Sequence, residues 1–442
     1  MPAVPLNPNA FQAKRNGSLT MKRPKQACAV IALLLSAGAV SFGADWPRFL
    51  GPDADAEAPE ASPPTQWSAN KNVAWKTELP GPGASSPVTL DDWIFLTSYS
   101  GYGVDESDPG DQSELRHHVL CFDRESGEKL WHQQSKARLP EREYRGFVAL
   151  HGYASATPVT DGKQVFAFFG RSGVWAYGVD GRLNWSIGVG ENTHSWGSAA
   201  SPIVHRDMVI VNASVESQRI VALDKETGKL VWQVPGIKQS WSTPLIVELP
   251  DGKSELVVSM HSKVLGIDPN SGEKLWECRG VEDYVCPSVI GEGETVYVCG
   301  GRGSDGVLIA IRCGGRGDVT ETHRLWELRK NPLVPTPVLH DGLMHWVGQR
   351  GIAHCVDTAS GELVYRERIG GLGTVYGSAI FAGGNIYAFS REKGAVVFAA
   401  GREFKEIARP ELGDESVFNA TPVVSGDRLL IRSDKFLYCL GK

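Results

Sequence analysis

The chain lacks every short cysteine signature of metal or haem chemistry. Its 8 Cys form no CxxC, no CxxCH and no zinc-ligand spacing. No apolar run reaches the roughly 20 residues that a membrane-spanning helix needs; the strongest, Ala27 to Val40, is too short. Cationic excess is also missing. Lys plus Arg total 45 against 51 for Asp plus Glu, a net charge of −6, which argues against a nucleic-acid binder with a broad basic face. The 50 Gly and 26 Pro follow no collagen-like period and therefore mark turns. Tryptophan is abundant, with 13 in 442 residues, and recurs at matching places in repeated phrases.

Residues 1–20 are polar and irregular and read as an extension ahead of a second start at Met21. Lys22-Arg23-Pro24-Lys25, the apolar run to Val40 and the small residues Ser41, Gly43 and Ala44 have the layout of a secretory signal. Residues 21–43 are therefore expected to be a signal peptide, 44–70 an extended N-terminal segment, and the protein exported to a periplasmic or extracellular compartment. No Cys lies just after the run, which argues against a lipid anchor. Cys28 falls in the signal, and the seven other cysteines leave at least one free thiol.

Internal repeats decide the fold class. A small residue and Pro before a β-branched or aliphatic residue recur as Ser86-Pro87-Val88, Thr157-Pro158-Val159, Ser201-Pro202-Ile203, Thr243-Pro244-Leu245, Thr336-Pro337-Val338 and Thr421-Pro422-Val423. Cys286-Pro287-Ser288 and Gly377-Ser378-Ala379 are weaker copies, making eight units. A second phrase is fullest at Asp224-Lys225-Glu226-Thr227-Gly228-Lys229-Leu230-Val231-Trp232. It returns from Asp123 to Trp131, from Asp268 to Trp276 and from Asp357 to Tyr365, and in shorter form at Trp185 and Trp326. Asp bonding the backbone ahead and Gly in the left-handed region make this a tight hairpin. Each unit then holds four short antiparallel strands, A to D. Repeats of about 40 to 50 residues with four strands are propeller blades. The expected fold is all-β: an eight-bladed β-propeller over 71–442, in which Val73-Ala74-Trp75-Lys76 supplies the strand missing from the last unit. The recurring Trp is expected to pack between blades.

These phrases resemble the repeat of the pyrroloquinoline-quinone (PQQ)-type propellers, over about residues 71–442. The resemblance implies two functional branches. One is the quinoprotein alcohol dehydrogenases, which hold PQQ and Ca²⁺ in the channel; the other is the envelope scaffold of outer-membrane-protein assembly, which has no catalytic role. The opening from Asp45-Trp46-Pro47-Arg48 looks like a third group of secreted propellers. No Cys adjoins another here, whereas the dehydrogenases carry a vicinal disulfide, and a haem segment is absent. The expected function is a non-enzymatic binding or scaffolding module of the cell envelope, with an envelope protein or a small anionic ligand as partner. No catalytic residue, metal ligand or cofactor is assigned. The alternative is a PQQ- and Ca²⁺-dependent oxidoreductase acting on an alcohol or sugar.

The expected site is the face carrying the B–C turns and D–A loops. Before strand A these loops hold Tyr153, Trp196, Trp241, Tyr284, Tyr376 and Phe418, and the B–C turns hold Arg171, Lys263, Arg302, Arg350, Arg391 and Arg432. Aromatic faces and guanidinium groups together suit a planar anion, and a ring of inter-blade packing aromatics with solvated cations is the plainer alternative. His151 and His194 share these loops, as candidates for base or metal chemistry or simply for loop hydrogen bonds. Blade 1 carries an acidic B–C loop (Asp105, Glu106, Asp108, Asp111, Glu114) and a basic D–A loop (Lys136, Arg138, Arg142, Arg145), expected to pair. Cys286 and Cys299 are placed to face each other across strands A and B of blade 5, as a disulfide or as two packed thiols.

Overall fold

The computed structural model describes residues 45–303 and 306–442. The candidate start extension, the signal segment 21–43 and Cys28 lie outside the described residues. Eight antiparallel sheets follow one another along the described chain, each built from strands A to D in sequence order. Blade 1 comprises Val88–Leu90, Trp93–Ser100, Arg116–Asp123 and Lys129–Lys136. Blade 8 takes Val423–Ser425, Arg428–Arg432 and Phe436–Leu440 from the end of the chain, and its strand D, Val73–Glu78, from the beginning. The pairing runs antiparallel, Trp75 opposite Cys439 and Glu78 opposite Phe436, and closes the ring as the repeats predicted. The N-terminal strand thus completes blade 8 as its outermost strand and joins the two ends of the described chain in one sheet.

The Asp-to-Trp phrase works as a staple between blades. Asp123, Asp224 and Asp357 each accept the N–H of the Ser or Thr three residues on, at 2.7, 2.8 and 3.1 Å. The hairpin Gly then turns with positive φ and offers a flat surface. Trp131 covers Gly181 of blade 2, Trp185 covers Gly228 and Trp232 covers Gly272. Each indole also donates to a carbonyl of the next blade: Val179 at 2.8 Å, Lys225 at 2.9 Å and Pro269 at 3.1 Å.

Trp276 departs from the expected inter-blade role. Blade 5 has no Asp-Gly hairpin between strands C and D; it carries Cys313-Gly314-Gly315-Arg316 there, and Gly317–Asp318 adds a parallel strand to blade 4. With no hairpin Gly to cover, Trp276 turns into its own blade, fully buried, and donates to Glu255 Oε2 at 2.7 Å.

Residues 45–63 cross the channel at the face of the A–B turns. Trp46 exchanges backbone bonds with Thr89 of blade 1, and Pro47 O accepts from Thr160 N of blade 2 at 3.0 Å. Glu57–Ala58 pairs in parallel with strand A of blade 7, and Ser62 N reaches Asp427 of blade 8 at 2.7 Å. Trp46, Leu50, Ala54 and Ala56 are buried in this plug.

Candidate functional site

The plug makes the channel a blind cup, open only toward the D–A loops. It encloses about 180 Å³, with Phe49 of the plug reaching its wall. The start of each strand A forms the cup's waist. Ser86 N–H donates to Thr157 Oγ1 at 2.9 Å, Thr157 N–H to Ser201 Oγ at 3.0 Å, and Ser201 N–H to Thr243 Oγ1 at 3.0 Å. The relay continues through Ser288, Thr336 and Ser378 to Thr421, seven bonds of 2.9–3.1 Å among the described residues. Buried backbone N–H groups that no β-ladder satisfies thus find partners in the next blade. This is the physical reason for Ser or Thr in the repeated phrase. The sequence showed that regularity, but its geometry shows only when neighbouring blades stand side by side. In blade 5 the ring residue is Ser288, two positions beyond Cys286.

The relay opens between blades 8 and 1, where Ser86 Oγ has no partner. The Arg432 guanidinium is buried at this junction and donates to Thr97 O at 3.1 Å. Burial lowers its pKa to about 10.

Above the ring lies an aromatic layer. Trp196 packs on Trp241 (centroids 4.5 Å apart) and on Tyr284 (4.7 Å), and Phe147 meets Trp196 edge-on at 5.5 Å. Trp196, Trp241, Tyr284 and Tyr376 all line the cup. Tyr153 and Phe418 do not appear on this wall. Tyr153 packs edge-on against Tyr99 at 5.3 Å, and Phe418 packs toward Tyr438 at 6.2 Å. The same place in the repeat therefore serves the lumen in some blades and packs on the preceding blade (Tyr153) or on its own blade (Phe418) in others.

The basic residues are on the rim and outside it. Arg302 lies over Trp196 and Tyr284, at 4.8 and 4.7 Å, and pairs with Asp283 at 3.5 Å. Arg391 lies over Tyr376 at 5.0 Å. Arg171 donates to Leu139 O at 3.3 Å, Lys263 pairs with Glu277, and Arg350 is exposed.

His151 ends a short helix, Phe147–His151, that overhangs the cup. Its Nε2–H donates to Trp196 O at 2.7 Å, and Nδ1 bonds Ser155 Oγ. Burial lowers its pKa, so the ring is a neutral tie between two loops. His194 bonds Trp196 N through Nδ1 at 3.1 Å and packs on Trp241.

The two long blade 1 loops do meet, though by other means than the expected charge pairing. Gln112 and Glu141 exchange bonds of 2.9 and 3.0 Å, and Tyr144 N donates to Tyr102 Oη at 3.1 Å. Among the described residues the ion pairs here, Arg116–Glu114 and Arg145–Glu143, each join residues two apart and do not cross between the loops. In the structure Cys286 and Cys299 are free cysteines, the packed-thiol alternative. Ile290 pairs with Tyr297, so the turn is centred one residue later than symmetry about Glu292-Gly293 suggested, and continued register sets Ser288, not Cys286, opposite Cys299.

Sequence reasoning missed Phe49 and Asn419 on the cup wall, and the carboxyl pair Glu141 and Glu216 beside it. Asn419 lines the cup, donates from Nδ2 to Leu150 O at 2.7 Å, and leaves Oδ1 buried and unpartnered. Burial raises Glu141 and Glu216 to about 7 each, although Ser198 donates to Glu216.

Blade number, staple and ring define a PQQ-like β-propeller. The chain belongs to this family: the family described as outer membrane protein assembly factor BamB matches residues 115–367. No curated protein matches the chain. Among solved structures it is similar to BamB from Moraxella catarrhalis, at 14% identity and a TM-score of 0.58, over 84% of this chain and 97% of that one. It is also similar to the quinohemoprotein alcohol dehydrogenase of Comamonas testosteroni, at 11% identity and 0.61, over 89% and 80%. The computationally designed protein Ika8 aligns at 12% identity and 0.53, over 82% and 98%. At these identities the likeness is one of fold.

Proposed function

We propose that the protein is an exported binding and scaffolding propeller of the cell envelope, which takes a ligand or a partner segment in its cup. The observation that carries this reading is the blind cup itself, pinned at the waist by backbone-to-hydroxyl bonds and floored by residues 45–63. A rigid concave site with apolar walls and a few convergent polar groups is the common form of a binding pocket. The basic prefix and short apolar run before Ala44 support export. Among the described residues no helix is long and apolar enough to cross a membrane.

PQQ with Ca²⁺ does not fit the described wall. Ca²⁺ takes oxygen ligands, carboxylates foremost, and PQQ itself is anionic. The lining holds neither Asp nor Glu, and neither Arg nor Lys. The nearby guanidinium groups of Arg302 and Arg391 are spent on aromatic faces at the rim.

The test is a photo-crosslinking residue in place of Tyr376 in the exported protein. Capture of a ligand or envelope partner, lost when Ser378→Trp fills the ring beneath, is the expected result. Dye-linked oxidation of an alcohol on addition of PQQ and Ca²⁺, with no capture, would overturn the reading.

A further inference from the structure

We infer that the cup's guest is a neutral, ring-shaped polyol, a sugar or the end residue of a glycan. This rests on the reading of the cup as a binding site and names the chemistry of its guest. Three features of the wall decide between guests.

The first is the hydroxyl ring. Each oxygen from Thr157 round to Thr421 already accepts a backbone N–H. A hydroxyl in that position still has its own hydrogen to give. The waist is therefore a circle of neutral donors. The second is Asn419, whose buried Oδ1 lacks a donor, so the guest must also bring a hydrogen. The third is the wall's neutrality: no charged side chain lines it, and His151 is held neutral by burial.

These demands separate the candidates. An anion would satisfy the donors, but it finds no cation on the wall and offers nothing to Asn419 Oδ1. A bare apolar side chain suits Phe49, Trp196 and Tyr376 but strips water from the hydroxyls and leaves buried donors unpaired. A sugar hydroxyl both donates and accepts, and the C–H face of the ring packs on aromatic carbon. Trp196 and Tyr376 are half-buried and keep ring surface for that contact. A neutral polyol answers all three features.

The experiment is a titration of the exported protein, by calorimetry and tryptophan fluorescence. The probes are glucose, N-acetylglucosamine, cellobiose and a glycan array on one side, and indole on the other. The expected result is saturable binding of a saccharide, insensitive to molar salt. Asn419→Ala should weaken it about tenfold, the usual scale of one hydrogen bond, while indole affinity holds. Tyr376→Ala, at the rim and outside the hydroxyl ring, should weaken both probes and guards against a misfolded Asn419 variant. Indole binding with no saccharide bound at tens of millimolar overturns the polyol and leaves the binding site standing. Failure of both probes overturns the proposed function as well. Saccharide binding unaffected by either substitution places the guest elsewhere and overturns the inference.

Discussion

Trp185 of blade 2 lies over Gly228 of blade 3, and its Nε1–H donates to Lys225 O at 2.9 Å. A Cβ on Gly228 would sit 2.6 Å from the indole, and Gly228 turns at φ +70°. The staple needs Gly for both reasons. Gly228→Ala is expected to cost about 1–2 kcal/mol for the left-handed backbone and about 1–3 kcal/mol more for the overpacked contact. Gly162→Ala, at φ +91° with nothing within 4 Å, should cost only the first part. Chemical denaturation of the two variants measures the difference, and equal losses would refute the staple.

Glu255 is the hub of the exception in blade 4. It is buried and accepts Trp276 Nε1 at 2.7 Å, Gly314 N at 3.0 Å and Arg316 Nη1 at 3.0 Å. Glu255→Ala leaves three donors without their acceptor, two of them in the protein interior. The expected loss is about 3 kcal/mol, read as a lower denaturation midpoint. A loss below about 0.5 kcal/mol, the range of a neutral surface change, would show that the insertion holds itself.

The carboxyl groups at the cup's flank and in the plug set a pH dependence. Burial raises Glu216 from 4.5 to about 7, and burial with Asp55, Glu292 and Asp341 nearby raises Glu57 likewise. A folded-state pKa above the unfolded value means that the folded protein binds the extra proton between about 4.5 and 7. Stability from these groups is therefore full below about 4.5 and is lost as pH rises through about 7. Glu216→Gln, which keeps an acceptor for Ser198, should melt higher than the parent at pH 8 and equal to it at pH 4.5. A constant gap across that range would remove the carboxyl as the cause.

The thiols should be silent. Burial pushes Cys286, with Asp283 nearby, and Cys121, with Asp123 nearby, up to about 12. The seven described cysteines should resist maleimide in the native protein and all react in denaturant, with no reductant needed. Fewer than seven adducts without reductant, restored by it, would reveal a disulfide.

Much of the architecture was legible because it repeats. Asp224 with Thr227 and Gly228, and Thr243 with Pro244, are local devices whose hydrogen bonds and turn conformations are set within a few residues. Copied along the chain, they specify the strand order and the number of blades, and Val73-Ala74-Trp75 could be recognised as the missing copy. Trp276 shows the limit. Its phrase is intact, yet its partner hairpin is missing in the next blade, so the side chain follows its neighbour and not its motif.

The cup depended on distances that no local pattern encodes. Tyr376 and Phe418 occupy like places before strand A, but one faces the lumen and the other packs on Tyr438. Phe49 reaches the cup only because residues 45–63 cross from blade 1 to blade 8. The sequence by itself determined the eight blades, their staples and their closure, since these rest on short-range hydrogen bonds and regular spacing. Only the tertiary structure decided the floor, the hydroxyl ring as one continuous relay, the neutral wall and the free thiols, since these are contacts between blades about 40 or more residues apart.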